Sequence, residues 1–375
     1  MGAHRRSIAR IAVSGAGWWG QGWHLPHIHR HADATIAAIV ETQAHPRSSN
    51  AAQTLETTEA LSQRYEAPVY SSVEELLKSS TEVDGLLVGV PHAQHFQQSM
   101  AALDAGLHCL CEKPMTTDVA EARALLAASE AHVAAGRFFA VNNTANWRTA
   151  SRLAAHAVES GRIGAVEHVA AHMHSPLLWL FDNSANVGWT TPSNGMLGNG
   201  FAWGQLSHLL AWIFHVAAPL KPVRCFASMG TSETSGADLH DAAVIVCEGG
   251  ASISISGTAS VPGDAHGDAP VGKSLSISMF GSKGSLRYGG DDQLPSSGRL
   301  ELRQRDGVHE VLHPSFEFEN YEDAGDGPES LHALIDACLG RPAYVGADAR
   351  VGLRTVQAID AMYRSAASGK AEDIC

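Results

Sequence analysis

The segment Gly15-Ala-Gly17-Trp-Trp-Gly20 limits this chain more than any other. It follows directly on an apolar run over residues 8–14 and opens a stretch over 19–30 with helical character, although Pro26 blurs where that helix starts. Three glycines at this spacing permit a tight turn, close approach of backbone to a pyrophosphate, and close packing of helix on strand. The helix start supplies amide donors for phosphate oxygens. A second apolar strand over 35–40 ends at Glu41, 21 positions after Gly20. An acidic residue there accepts hydrogen bonds from the adenosine ribose hydroxyls and repels a 2′-phosphate. The pattern predicts a dinucleotide site built on Gly15, Gly17, Gly20 and Glu41, with NAD preferred. Arg47 lies close enough in sequence to keep NADP open as an alternative.

The rest of the first half continues the alternation. Helices are expected over 54–65, 73–78, 93–105 and 118–135, with Gly106 and Asp118 as caps. Strands are expected over 83–90, 107–111 and 138–142. Strand–helix alternation implies right-handed βαβ units and a parallel sheet. After about residue 145 the pattern changes. A helix over 151–161 leads into strands over 166–172, 243–247, 252–257, 275–280 and 284–288. Turn clusters such as Pro262-Gly-Asp and Gly289-Gly-Asp-Asp separate them. One helix, over 200–216, interrupts this antiparallel pattern, and helices over 329–339 and 347–367 end the chain. The reading is an α/β protein of two domains: an N-terminal Rossmann domain over 1–145 and an α/β domain with a mainly antiparallel sheet over 146–375.

Composition excludes several function classes. Lys and Arg number 26 against 39 Asp and Glu, a net charge of −13 with the 21 histidines neutral. Such a balance argues against non-specific binding to nucleic acid or to anionic membranes. No apolar run reaches the roughly 18 residues of a membrane span. Arg5-Arg6 suggests a twin-arginine export signal, but the run after it is short and glycine-broken, as a first strand would be. Six scattered cysteines make no disulfide framework, and Cys109 and Cys111 share one strand face. Inert thiols in a reducing cytoplasm are expected. His24, His27, His29 and His31 crowd the first helix, and His172 and His174 alternate on a strand. No Cys or carboxylate stands at zinc spacing around them, so no metal is expected.

Glu112-Lys113-Pro114 ends a predicted parallel strand, at the edge where open α/β sheets bind ligands. A lysine there can bond a substrate hydroxyl. With this motif the chain resembles the Gfo/Idh/MocA family of NAD(P)-dependent oxidoreductases. The resemblance rests on Val13–Gly20, on Val90-Pro91-x-x-x-His95, and on Ala105-Gly106-Leu-His108-Cys-Leu-Cys-Glu112-Lys113-Pro114. Ser160-Gly-Arg-Ile-Gly164 and Ser365-Ala-Ala-Ser-Gly369 extend it over nearly the whole chain. It implies a large open sheet in the second domain, whose face commonly mediates a homo-oligomer, a dimer or tetramer. It also implies a sugar, cyclitol or related polyol as substrate.

Carried over by position, Lys113 matches the family's active-site lysine, and Glu112 belongs beside the nicotinamide ribose. Pro91 and His95 belong to a loop that lines the cofactor. The family's second signature is an Asp and a His four residues apart on a helix. Here His208 fits the histidine, while the aspartate position is Gly204, which leaves space for a larger group. Gln205 offers hydrogen bonds but does not titrate. Trp147 and Arg148 follow the last Rossmann strand, and Trp189 and Trp203 flank the histidine segment. Tryptophan faces can stack on a pyranose ring, so these four, with Gln205, are candidate substrate contacts. Trp18 and Trp19 are expected to cover the cofactor or pack on the second domain. The expected activity is hydride transfer between a nicotinamide and a secondary alcohol or ketone, with Lys113 polarising the oxygen and His208 moving the proton. Two alternatives stay open: glycoside cleavage by transient redox on bound NAD, and a non-catalytic dinucleotide-binding regulator.

Overall fold

Six short strands, several of them buried on both faces, set the first half of the structure. The computed structural model describes residues 8–48, 54–193, 195–262, 272–292, 294, 296–316 and 328–375. Arg5-Arg6 and the Gly263-Asp264 part of the expected turn lie outside them. Strands β1 (Ala9–Ser14), β2 (Ala34–Val40), β3 (Val69–Tyr70), β4 (Gly85–Val88), β5 (His108–Cys111) and β6 (Phe139–Val141) pair in the order β3-β2-β1-β4-β5-β6. Every pairing is parallel. All residues of β4, β5 and β6 are buried, which is why these strands are continuous apolar runs in the sequence. Strand order reverses between β1 and β4, so their C-terminal ends form a topological switch point, where such sheets bind ligands.

The helices between these strands are fixed by ordinary capping. Thr57 Oγ1 accepts from Ala60 N at 3.2 Å and starts the helix Thr58–Tyr65, later than the expected 54. Ser72 Oγ accepts from Glu75 N at 3.1 Å and starts Val73–Lys78. Each oxygen satisfies an amide that the first turn leaves without a partner. On β5, burial pushes the Cys109 thiol up to about 12 and raises Cys111 as well, so neither is a thiolate at neutral pH.

The chain forms two compact units that are not simply consecutive. The first holds the described residues up to Thr116, then Ala120–Thr144 and Pro328–Arg350. The second holds Thr117–Val119, the described residues from Ala145 up to Pro328, and Val351–Cys375. Residues 328–350, expected in the second domain, therefore pack with the first. The reason is burial: the helix Glu329–Cys338 lays Leu331, Leu334 and Ile335 on β1, β4 and β5. Gly85 makes room for it, since a Cβ there would lie 2.8 Å from Cys338 Sγ.

In the second unit β7 (Val166–His174), β8 (Pro222–Thr231), β9 (Asp238–Cys247), β10 (Ser252–Thr258), β11 (Ser274–Gly281), β12 (Gly284–Asp291), β13 (Arg299–Gln304), β14 (His309–His313) and β15 (Glu372–Asp373) form one sheet. The order is β14-β13-β12-β11-β7-β10-β9-β8-β15. Only β7 and β10 pair in parallel; the other neighbours are antiparallel. Burial alternates along β9, β10 and β11, as a sheet with one covered face requires. Gly289 and Gly290, expected in a turn, lie inside β12. A Cβ at Gly289 would sit 2.5 Å from Leu275 O, so glycine serves close strand approach there. The helices Thr149–Glu159 and Ser207–Val216 pack together in this unit, where Trp212 donates Nε1 to Ser151 Oγ at 2.7 Å and stacks on Tyr288. Among the described residues no helix is long and apolar enough to cross a membrane.

Candidate active site

The glycine turn lies at the switch point of the parallel sheet. Gly15 follows β1 with φ +98°, and a Cβ there would sit 2.3 Å from the carbonyl oxygen of Gly89, just beyond β4. Only glycine combines that conformation with that approach. A Cβ at Gly20 would lie 2.3 Å from Gly15 O, so the helix start presses on the turn itself. Gly17 differs: a Cβ there would meet no protein atom within 4 Å. Its backbone faces open space, the arrangement that admits a pyrophosphate. Glu41 borders the same turn. Its Oε2 accepts from Ala16 N and its Oε1 from Gln43 N, each at 3.0 Å. Arg47 is exposed.

The helix after the turn is not uniform. Gly20–His24 forms a wide π turn, and an α-helix, Leu25–Arg30, continues from it. Pro26 has no N–H to give the carbonyl four residues earlier, and the wide turn comes immediately before it. The turn buries His24 completely.

His24 and Trp19 meet at Glu112, just past β5. Glu112 Oε1 accepts from Trp19 Nε1 at 3.2 Å and from Asn142 Nδ2 at 2.7 Å, and His24 Nε2 lies 3.0 Å away. Its Oε2 accepts from Lys113 N at 3.1 Å. Burial alone would raise this carboxyl. The close His24 ring, the positive charge at Lys113 and the hydrogen bond from Asn142 outweigh burial and hold it below its ordinary value. Glu112 is thus ionised at neutral pH and engaged by protein donors. Trp19, expected over the cofactor or the second domain, is tied within the first unit: it stacks on Trp23 at 5.3 Å and meets Trp18 edge-on at 5.6 Å.

Lys113 is half-buried and joined to Pro114 by a cis peptide bond. Behind it lies His95, fully buried, with Nδ1 2.7 Å from Pro114 O and Nε2 2.8 Å from Val90 O. Its ring stands between the loop after β4 and the loop carrying Lys113, and as a neutral imidazole it donates to one of the two carbonyls. His95 was expected to line the cofactor; with both nitrogens at backbone carbonyls it holds that loop instead, while Pro91 stands exposed at its start. Burial lowers His95, against the pull of the two carbonyls. Burial, the His95 ring and the Lys113 charge hold His92 well below the usual histidine value, so it is neutral at pH 7. The sequence reading missed His92, although it adjoins Pro91 in the family's loop motif.

In the second unit a π turn, Ala202–Leu206, leads into the helix Ser207–Val216 and carries Gly204 ahead of His208. The space expected at Gly204 is filled. A Cβ there would lie 2.5 Å from Phe181 Cζ and 3.1 Å from its Cε1. Phe181, fully buried, meets Trp189 edge-on at 6.3 Å and Phe201 at 6.1 Å. Aromatic carbon therefore stands where the family signature has a carboxylate. Nothing near Gly204 in the sequence signals this, because Phe181 comes from the separate short helix Leu178–Phe181. His208 and Gln205 are half-buried, and Gln205 Oε1 is buried without a hydrogen-bond donor.

Three expected substrate contacts prove to be interior. Trp203 is 1% exposed and stacks on Tyr363; Trp147 is equally buried. Arg148 is buried beside Tyr288. The apolar bulk of the two tryptophans serves packing of the second unit, so they offer no open ring face. Of the three candidate tryptophans, Trp147, Trp189 and Trp203, Trp189 is the one partly exposed. Among the described residues no group of three or more His, Cys, Asp or Glu is arranged to hold a metal ion.

The Phe181–Gly204 contact yields a direct test. Gly204→Asp should lower stability by about 1–3 kcal/mol, because the added carboxylate must displace a packed ring. Measured against Phe181→Ala in place of wild type, the Gly204→Asp loss should be smaller, because the ring it must displace is gone. Urea unfolding measures both; an unchanged midpoint in Gly204→Asp alone would contradict the packing described.

Comparison with known proteins agrees with this geometry. Residues 9–138 match the family profile described as "Oxidoreductase family, NAD-binding Rossmann fold", and residues 151–287 match the GFO/IDH/MocA C-terminal domain. The chain is 37% identical over 84 residues to D-xylose 1-dehydrogenase (NADP(+)) of Hypocrea jecorina, covering 22% of this chain and 21% of that protein. It is 34% identical over 110 residues to inositol 2-dehydrogenase of Corynebacterium glutamicum, 29% of each chain. The matched stretches thus span under a third of these relatives. A crystal structure of an oxidoreductase domain protein from Kribbella flavida superposes with a TM-score of 0.74 at 19% identity, over 98% of this chain and 100% of that one. The expected Rossmann domain, the second domain with its mainly antiparallel sheet and the NAD-type fold are all present, and the chain belongs to the Gfo/Idh/MocA family of oxidoreductases.

Proposed function

We propose that this protein is a dehydrogenase that uses NAD to interconvert a secondary alcohol and ketone on a sugar, cyclitol or related polyol. The observation that carries the reading is Lys113 at the C-terminal end of β5, its backbone fixed through Glu112 to the helix of the glycine turn. The nicotinamide supplies the hydride chemistry. Gly17 and the first amides of the helix hold the pyrophosphate. Glu41 receives the adenosine ribose hydroxyls. Lys113 donates to the substrate oxygen and lowers the cost of alkoxide character as hydride departs. An alcohol is a very weak acid, so a base must take its proton, and His208 has that role. Gln205, half-buried on the turn ahead of His208, offers its side-chain amide to a second hydroxyl. Trp189 covers the carbon face of the ring. The activities of the xylose and inositol dehydrogenases that this chain resembles support the substrate class.

The outward face of the second sheet supports a homo-oligomer. Phe226 and Val244 are direct neighbours across β8 and β9, and Val246 stands two residues further along β9 on the same exposed face. Placing Glu at both Phe226 and Val244 should yield monomers in sedimentation velocity; a wild-type monomer at micromolar concentration would refute the assignment.

Calorimetric titration with both cofactors tests the dinucleotide site. Gly17→Ala should fold normally, since no protein atom meets the new Cβ, yet bind NAD at least about tenfold more weakly, or 1.4 kcal/mol. Wild-type protein should prefer NAD to NADP, and Glu41→Ser should narrow that preference. Tighter NADP binding by the wild type would remove Glu41 from this role.

Turnover of a panel of sugars, cyclitols and sugar acids, followed by nicotinamide absorbance, tests the chemistry. Lys113→Ala and His208→Ala should each lower kcat by about 10²–10⁴-fold with NAD affinity little changed. Near-normal turnover in His208→Ala would make that histidine structural.

A further inference from the structure

The helix that carries Gly204, Gln205 and His208 begins on an unusual buried group. Asp238, at the start of β9, accepts from Ala202 N at 2.7 Å through Oδ2 and from the Tyr363 hydroxyl through Oδ1. A carboxylate at that helix start also suits the helix dipole. The chain entering the helix lies flat on the same residue. Gly200 has φ +156° and bridges Asp238, and a Cβ there would lie 2.5 Å from Asp238 O. Gly198 lies under the Tyr363 ring, where a Cβ would sit 2.3 Å from Cε1. Trp203, within the π turn, stacks on that ring at 6.1 Å.

Asp241 is buried next to this clamp and looks unsatisfied. It is 3% exposed, and neither of its carboxyl oxygens receives a hydrogen bond from an N–H or hydroxyl group. A register shift of β9 against β8 between Gly230 and Thr231 puts Asp238 and Asp241 on the same buried side of β9, where their carboxyls interact. Two carboxyl groups hydrogen-bond only if one of them carries a proton. Asp238 already accepts two donors, so the proton resides on Asp241 and is donated to Asp238. We propose that Asp238 and Asp241 share this single proton and, with Tyr363, act as positioning residues that hold the start of the His208 helix.

The electrostatics have the matching direction. Burial and the Asp238 charge hold Asp241 well above the usual carboxyl range. Burial also raises Asp238, against the bonds from Tyr363 and Ala202. Burial and the two aspartates raise Tyr363, which keeps its hydroxyl proton and so remains a donor. Tyr363 is the titratable group facing the pair from the helix Ala349–Ser368, while β8 and β10 place Met229 and Gly257 opposite Asp241. In the unfolded chain Asp241 titrates near the ordinary value of about 3.9. Its folded value is higher, so its contribution is full below that pH and is lost as pH rises toward the folded value.

Asp241→Asn supplies a permanent amide donor in place of the shared proton. The gap in Tm between Asp241→Asn and wild-type protein should be small near pH 4.5 and widen in the variant's favour to at least about 3 °C by pH 8. A gap that does not change with pH, or a variant less stable at pH 8, would overturn the shared proton. The positioning role rests on the proposed dehydrogenase reading and is tested separately. Asp238→Ala, assayed well below its Tm, should lose at least about tenfold in kcat without a matching change in NAD affinity. Tyr363→Phe should lose less, in the same direction. Full turnover in Asp238→Ala would overturn the positioning role. A widening Tm gap in a protein that turns over no polyol would leave the shared proton standing and refute the dehydrogenase reading.

Discussion

A buried carboxylate must be surrounded by donors, and at Glu112 those donors tie the first unit's site together. Trp19 and His24 come from the helix of the glycine turn, Asn142 from the end of β6, and the Lys113 amide from the adjoining residue. Removing the carboxylate would leave several buried polar groups without partners, at a cost of about 1–3 kcal/mol each. One charge thereby couples the glycine turn to Lys113. The π turn is part of the same arrangement, because it buries His24 close to Glu112. His95 supplies a second tie, from the loop after β4 to Pro114.

The second unit solves a related problem with different groups. Its candidate helix also opens with a π turn, and the Asp238 carboxylate serves that helix start as an anchor. Where the family signature has a carboxylate beside the histidine, this chain has Gly204 covered by Phe181. An aromatic ring there neither orients an imidazole nor bonds a hydroxyl. Any polar recognition near His208 must come from groups such as Gln205, whose side-chain oxygen is buried without a donor.

The parallel sheet was legible in the sequence because strands buried on both faces are continuous apolar runs, as in β4 and β5. The glycine turn was legible because Gly15 and Gly20 answer steric demands of the backbone while Gly17 leaves open space, and Glu41 because it directly follows an apolar strand. Strands β8, β13 and β14 were missed. Half of each faces outward, and the polar residues there, among them Arg224, Arg299 and His309, dilute the apolar signal. Trp147 and Trp203 looked like ligand platforms because a sequence gives a tryptophan's size without its surroundings. Residues 328–350 looked like part of the second domain because contact with β1, β4 and β5 bridges most of the chain's length. The clamp around Asp238 was invisible for the same reason: its members come from β9, the Ala202 turn and the helix ending at Ser368.

The central claim is that hydride passes between a polyol carbon and the nicotinamide. The most direct measurement uses a substrate deuterated at the carbinol carbon, with the reduced cofactor analysed by NMR and mass spectrometry. The account predicts one deuterium at C4 of the nicotinamide and a slower turnover for the deuterated substrate whenever hydride transfer limits the rate. Product formed with no deuterium on the nicotinamide, or cleavage of a glycosidic bond with no net cofactor reduction, would contradict it.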